Sequence, residues 1–401
     1  MRSTVRSSRM RIVSAGIAAG AMVGAVLVAG AVPAQAAPDG GKLSGEVPKR
    51  VAPKREVPKG GGKLKVMTQN LYLGADLFPA IEAANQGTTE FLLAAAQVYQ
   101  GAMASDFPTR AAAFAKTVKQ EKPDIIGLQE VSEWITNRNV PGPDLESQDF
   151  LKIVKKALAA EGLKYKVAGI SQNATIGPFP YLDPAASCGA PSGILPSGWP
   201  CSIQLKDRDV ILVNTKTKKL SYKKKSVKSG LYSAQQTFVI AGQTISFGRG
   251  WVYADMNYKG ANFRFANTHL EVGGISAPIQ EKQAKQFVKV VKKGAGTVIA
   301  TGDFNTDAYG QYSPKSYKIL TRSYFRDMWK PKRDGRGLSC CQNADLSNPV
   351  SENETRIDLV LGRGKVRAQK SFNTNVTPFR DAPVPLWESD HGGVVSTLRI
   401  S

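Results

Sequence analysis

Six apolar, β-branched runs in this chain each finish or start on a hydrogen-bonding or ionisable residue, and so regular a pattern leaves few folds open. KLKVMTQN ends at Asn70, DIIGLQE at Glu130 and NFRFANTHL around His269, while TVIATGDFN runs into Asp303 and Asn305. RIDLVLGRG carries Asp358 at its start, and DHGGVVSTLRI opens on Asp390 and His391. Runs of this kind read as strands covered on both faces. Helical patterns lie between them. TRAAAFAKTVKQEKPD groups Ala111, Phe114, Ala115 and Val118, with Thr109 as the expected N-cap and Pro123 as the stop. LESQDFLKIVKKALAAEGL groups Phe150, Leu151, Val154 and Leu158, and PIQEKQAKQFVKVVKKGAG groups Phe287, Val290 and Val291. Strand alternating with helix predicts α/β layers rather than an all-α or all-β fold. No internal repeat is evident.

The rest of the chain sets the boundaries. Arg2, Arg6, Arg9 and Arg11 precede an apolar stretch from about Ile12 to Val32, followed by PAQAAPDG. This is the pattern of a secretory signal peptide over residues 1–36, cleaved after Ala36; an uncleaved membrane anchor is the alternative. Residues 37–62 are rich in Pro, Gly and Lys and read as a basic, disordered linker. Residues 63–401 then form a single large domain, expected to be secreted, soluble and monomeric.

With 54 Lys+Arg and 32 Asp+Glu the chain carries +22, and removing the leader's four arginines leaves +18. Such a balance suits a polyanionic partner (nucleic acid, an acidic lipid surface or a cell-wall polymer), with plain solubility as the alternative. The densest cluster, KTKKLSYKKKSVK at 216–228, reads as a strand edge guarded by lysines. Four cysteines in an exported chain point to disulfides. Cys188–Cys201 with a vicinal Cys340–Cys341 pair is the first expectation, and the two long-range pairings stay open. Residues 168–202, with Ile176, Phe179, Tyr181, Leu182, Ile194, Leu195 and Trp199, read as a long Gly/Pro-rich excursion, either a stapled surface loop or a substrate-contacting flap.

Chemistry concentrates at the run ends. GDFN alone is ordinary turn chemistry, and Glu130 alone reads equally as a solvated strand-terminal acid. Asp358 says more, because an acid between Ile357 and Leu359 is buried and needs a partner. The chain has only two histidines, His269 and His391, and both fall at run ends beside acids and amides.

Taken together, TQN (68–70), LQE (128–130), NTHL (267–270), GDFN (302–305), RID (356–358) and SDH (389–391) resemble, in order, the endonuclease/exonuclease/phosphatase superfamily. That superfamily includes deoxyribonuclease I, abasic-site endonucleases, neutral sphingomyelinases and inositol polyphosphate 5-phosphatases. The resemblance spans about 63–401. It implies a four-layer α/β sandwich of two packed mixed β-sheets flanked by helices, and phosphoester hydrolysis with Mg²⁺, or Mn²⁺ or Ca²⁺, held by oxygen ligands. Carried over, Glu130 is the main metal ligand, and Asn70 and Asp390 complete or support the metal shell. Asp303 orients or deprotonates the attacking water, Asn305 holds it or a phosphate oxygen, Asp358 pairs with His391, and His269 contacts the phosphate. NTHL is closer to the deoxyribonuclease I, sphingomyelinase and phosphatase branches than to the abasic-site enzymes. In the deoxyribonuclease branch this histidine has a second glutamate as partner; which residue takes that place here stays open, Glu133 lying too near Glu130 for an obvious match. The resulting expectation is a secreted metal-dependent phosphodiesterase, foremost a nuclease. The alternatives are a sphingomyelinase-like enzyme at a membrane surface and a polyanion-binding protein that has lost catalysis.

Overall fold

In a computed structural model, residues 60–189, 199–240, 243–329 and 337–401 are described. The leader, the linker as far as Lys59, and Ile194 and Leu195 lie outside these residues. The first strand starts at Gly62, the last residue of the segment read as linker.

Two mixed sheets form the centre. The larger has eight strands, ordered Val366–Asn373, Val394–Ile400, Gly62–Asn70, Ile125–Gln129, Cys201–Asn214, Glu133–Arg138 and Gln148–Asp149, with Tyr165–Pro180 also paired to Cys201–Asn214. The second has seven, ordered Arg326–Asp327, Asp358–Arg363, Val298–Asp303, Ala261–His269, Gly250–Tyr258 and Leu220–Tyr222, with Lys228–Leu231 also on Gly250–Tyr258. Each sheet has one parallel pair at its heart: Gly62–Asn70 beside Ile125–Gln129, and Ala261–His269 beside Val298–Asp303. A separate hairpin joins Gln236–Ile240 to Gln243–Phe247.

Alternation along the strands produces the layers. Leu64, Val66, Ile125, Ile211 and Val213 meet Val252, Phe263, Phe265, Ile299 and Val360 in a core between the sheets. The next residues along point outward: Met67, Ile126 and Leu128 pack with Phe91, Phe107, Phe114, Val118, Phe150 and Val154 from three helices. Across the molecule, Val298, Ala300, Leu359 and Leu361 pack with Phe287, Val291 and Leu320. Helix, sheet, sheet, helix is the four-layer sandwich. The sheets come close at Gly127, where an added Cβ would fall 2.2 Å from Thr301 Oγ1 and 2.4 Å from Asn267 Oδ1. Asn267 stitches the sheets there, donating to the Leu128 carbonyl at 2.8 Å and accepting from Gln129 Nε2 at 2.6 Å.

All six runs are strands. Helix Phe107–Glu121 starts two residues before Thr109, and its N-cap is Asp106, whose carboxylate accepts from the Thr109 N–H. Pro108 takes the first turn, where its missing N–H costs nothing. The excursion is shorter than the composition suggests: residues 168–180 belong to strand Tyr165–Pro180, with register shifts absorbing its irregular stretches. Ile176 and Phe179 pack on the outer core. Cys188–Cys201 and Cys340–Cys341 are the disulfides, which removes the long-range pairings. The lysine-rich segment supplies Leu220–Tyr222 and Lys228–Leu231, both paired with Gly250–Tyr258 at the margin of the second sheet.

Candidate active site

The parallel pairs fix where the functional side chains emerge. Asn70 and Glu130 terminate neighbouring strands of one sheet; His269 and Asp303 terminate neighbouring strands of the other. Asp358 begins the next strand, and His269, Asp303 and Asp358 stand side by side in register. Asp390 and His391 precede Val394–Ile400, which runs antiparallel to Gly62–Asn70. Every residue singled out in the sequence therefore arrives at one edge of the sandwich. Segment 389–391 is tied there by Ser389, whose hydroxyl donates to the Asn70 carbonyl at 2.7 Å and accepts from the His391 N–H. Gln69 and Asn375 amides both donate to the His391 carbonyl. Gly393 permits the fit, since a Cβ would fall 2.3 Å from Gln69 Oε1.

Asn70 is the hub. Its side-chain Nδ2 donates to Glu130 Oε1 at 3.0 Å and to Asp303 Oδ2 at 3.1 Å, while its Oδ1 accepts from the Tyr72 N–H. Glu130 Oε2 accepts from the Leu73 N–H at 2.8 Å. Asp303 Oδ1 accepts from the Asn305 N–H, and Asn305 Nδ2 lies 3.1 Å from His269 Nε2. Tyr72, Glu130 and Asn305 all adopt positive φ, near 50°, a conformation L-residues avoid unless the surroundings impose it and one that gathers at functional sites.

The two histidines differ in charge. His391 Nδ1 lies 2.7 Å from Asp358 Oδ2, with Nε2 3.8 Å from Asp303 and 4.0 Å from Asp390. Burial alone would lower its pKa, but Asp358, Asp390 and Asp303 outweigh it and hold the imidazole protonated. For His269, burial is reinforced by Arg249, whose Nη1 lies 3.0 Å from one ring nitrogen and 3.1 Å from the other. That ring is held neutral, so it serves as a hydrogen-bonding group rather than a cationic acid. Burial raises Asp303 to about 7, against the pull of His391, and Asp390 likewise to about 7.

Residues outside the six runs complete the setting. Arg110 is fully buried and donates to the carbonyls of Leu71, Tyr72, Ser105 and Glu388, fastening the two loops that carry Glu130's neighbour Leu73 and Asp390. Asp207 and Asp209, on Cys201–Asn214, lie beside His269. Glu133 faces Lys206 and Arg208 instead. The donor set fits a divalent cation: Glu130, Asp390, Asp303 and Asp358 are four carboxylates, against which His391, Arg110 and Arg249 bring positive charge. Oxygen-rich, carboxylate-led surroundings of this kind suit a hard ion.

Residues 67–391 match the Endonuclease/Exonuclease/phosphatase family. The chain belongs to this family. Hydrolysis of a phosphoester is accordingly its reaction class. Among solved structures, an endonuclease/exonuclease/phosphatase family protein from Bacteroides thetaiotaomicron is 18% identical with a TM-score of 0.52, over 85% of this chain and 99% of that one. A mannosyl-6-phosphatase of the same organism is 18% identical (TM-score 0.49; 84% and 99%), and D. rerio TDP2 complexed with a single-strand DNA product is 14% identical (0.48; 84% and 98%). At these identities the likeness is one of fold. No curated protein sequence matches the chain.

Glu388, next to the site segment, carries a pH-dependent cost to stability. Burial raises its carboxyl from 4.5 to about 7; Thr117 donates to one oxygen and the other has no partner among the described residues. A carboxyl raised on folding binds its proton more tightly in the folded state, so stability falls as pH climbs from the unfolded pKa to the folded one, by about 3 kcal/mol. Glu388→Gln cannot ionise. In EDTA its Tm should match the parent at pH 4.5 and exceed it by several degrees at pH 8; an offset independent of pH would remove the argument.

Proposed function

We propose that the chain is an exported, divalent-metal-dependent phosphodiesterase acting on nucleic acid. The observation that carries this reading is the meeting of a protonated His391, fixed by Asp358, with the carboxylate of Asp303 across 3.8 Å. A phosphodiester is anionic and resists a nucleophile, so its hydrolysis needs donors aimed at developing charge and a base for water. His391 Nε2 supplies the charged donor. Asp303, steadied by Asn70 and the Asn305 N–H, orients the water and takes its proton. Asn305 and neutral His269 hydrogen-bond the phosphate oxygens. Glu130 and Asp390, with Asn70 orienting Glu130, would hold Mg²⁺, Mn²⁺ or Ca²⁺, which when bound adds positive charge at the phosphate and lowers the pKa of water.

The +18 left once the leader's four arginines are taken from +22 supports a polyphosphate backbone as substrate, and phosphate contacts of this sort weaken steeply with salt. Incubation with plasmid DNA, RNA and sphingomyelin vesicles, each in MgCl₂ and in EDTA, tests the reading. Nucleic acid should be cut in Mg²⁺ alone, more slowly as salt rises. Lipid cleavage with nucleic acid intact would turn the assignment to a sphingomyelinase-like enzyme, and retardation on a gel without turnover of any ester to a binding protein.

A further inference from the structure

Beside the residues given hydrolytic roles lies a second constellation, on strand Cys201–Asn214. Asp207 and Asp209 alternate with Arg208, so both project from the face that Ile211 presents to the inter-sheet core, while Arg208 turns away to Asp149 and the Val131 and Ser132 carbonyls. One ligand atom each from Asp207, Asp209 and His269 lies within 4.8 Å of the others. All three residues are buried, with Asp209 at 0% exposure.

The hydrogen bonding around these acids is incomplete. Asp207 Oδ2 accepts from Asn173 Nδ2 at 2.9 Å, and Oδ1 lies 3.4 Å from the Ser132 hydroxyl. Neither carboxylate oxygen of Asp209 makes a well-formed hydrogen bond among the described residues, the Asn173 side chain being its polar neighbour, and Asn173 Oδ1 and Ser171 Oγ close by are likewise without donors or acceptors there. These last two flank Gly250, where an added Cβ would fall 2.4 Å from Ser171 Oγ and 2.7 Å from Asn173 Oδ1. Buried acceptors without donors are rare in folded proteins, and each needs a reason. Glu271 is a third acid nearby; Arg249, 3.6 Å from Glu271, is a cation beside the group, and His269 is neutral. A neutral imidazole is also the form in which histidine ligates.

We propose that Asp207, Asp209 and His269 form a second cation site, beside the one built on Glu130, that takes a divalent transition ion of the Mn²⁺ or Zn²⁺ class. The imidazole nitrogen among the carboxylates sets the class, since Mg²⁺ and Ca²⁺ prefer all-oxygen surroundings. The site rests on its own residues and not on the nucleic-acid reading. An ion there would neutralise the acids beneath His269 and fix the ring that faces the phosphate.

Equilibrium dialysis of the EDTA-stripped full chain against Mn²⁺ alone, with Co²⁺ absorption spectra as a second readout, tests this. Wild type should bind two equivalents. Glu130→Gln should keep one, with the visible Co²⁺ bands of a nitrogen-containing set. Asp209→Asn, isosteric and relieved of an uncompensated charge, should fold with an apo Tm at or above wild type and bind one. Asp207→Asn provides the same loss by a second route. A Glu130→Gln chain that binds nothing would overturn the site, as would equal stoichiometry in wild type and Asp209→Asn; the two acids would then share a proton instead.

Discussion

Asp358→Asn is expected to lower kcat by about 10²–10⁴-fold, the range for loss of one acid–base group, while the protein stays folded. The carboxylate does two things to His391. Its Oδ2 accepts from Nδ1 at 2.7 Å and so fixes the ring, and its charge is the largest of those keeping the ring protonated against burial. An asparagine fills the same space, and its own backbone N–H keeps its bond to Ser339 Oγ. It removes the charge, however, and can offer an N–H where an acceptor is needed. Burial then prevails and the histidine pKa falls. The sign follows directly. A raised histidine is charged below its folded pKa and loses the proton as pH rises through it, so wild-type turnover should persist to alkaline pH. In Asp358→Asn the alkaline limb should move to lower pH. His391→Ala should lose as much rate, and the double variant should be little worse than either, because the pair acts as a unit. Superimposable pH profiles for wild type and Asp358→Asn would refute the dyad as the source of the charge.

The site and its frame were legible for one reason: strands buried on both faces are apolar along their length, so a polar residue at an end stands out. Asn70, Glu130, His269, Asp303 and Asp358 announce themselves that way. Asp207 and Asp209 did not, because the first half of strand Cys201–Asn214, CSIQLKDRD, mixes polar with apolar residues throughout, so no polar residue stands out at an end. Helix Thr88–Ala104 escaped for a related cause. Its run TTEFLLAAAQVYQGAMA is apolar nearly all round, so periodicity gives no face to detect. The Gly and Pro residues of Tyr165–Pro180 suggested a loop, whereas the structure absorbs them as shifts of register along one long strand.

Arg110 could have been found. It follows Phe107 by three residues and precedes Phe114 by four, which places a charge on the apolar face of its helix. A buried guanidinium must satisfy its donors, and here the carbonyls of the two loops around Asn70 and Asp390 do so. Arg249 had no such signal. Its place opposite His269 depends on the pairing of Gly250–Tyr258 with Ala261–His269, a register that no short sequence window contains. Tertiary pairing, not local propensity, decides which charge meets which imidazole.

Glu130→Gln is expected to cost about 10³-fold or more in kcat, because several kcal/mol of charge stabilisation at the phosphate depend on the ion this acid would hold. The substitution keeps volume and backbone: residue 130 already sits at positive φ, and its side chain is half-buried between Asn70 and Leu73. One amide group must now face a donor, either Asn70 Nδ2 or the Leu73 N–H, so the side chain is less firmly aimed. Removing the charge has an opposite effect on stability without metal. Glu130 is one of the groups that raise Asp390, after burial. Without it, Asp390 ionises more readily, and the apo variant should be at least as stable as apo wild type at pH 7. Mg²⁺ separates the two. An ion bound only by the folded state stabilises by about 2.7 kcal/mol at a hundred times its Kd, so wild type should gain Tm with Mg²⁺ and Glu130→Gln should not. Equal Mg²⁺-dependent gains in both proteins would show that the ion sits elsewhere, whatever happened to the rate. A variant that loses rate while keeping the Mg²⁺ gain would make Glu130 a positioning residue for Asn70 and Asp303 rather than a ligand.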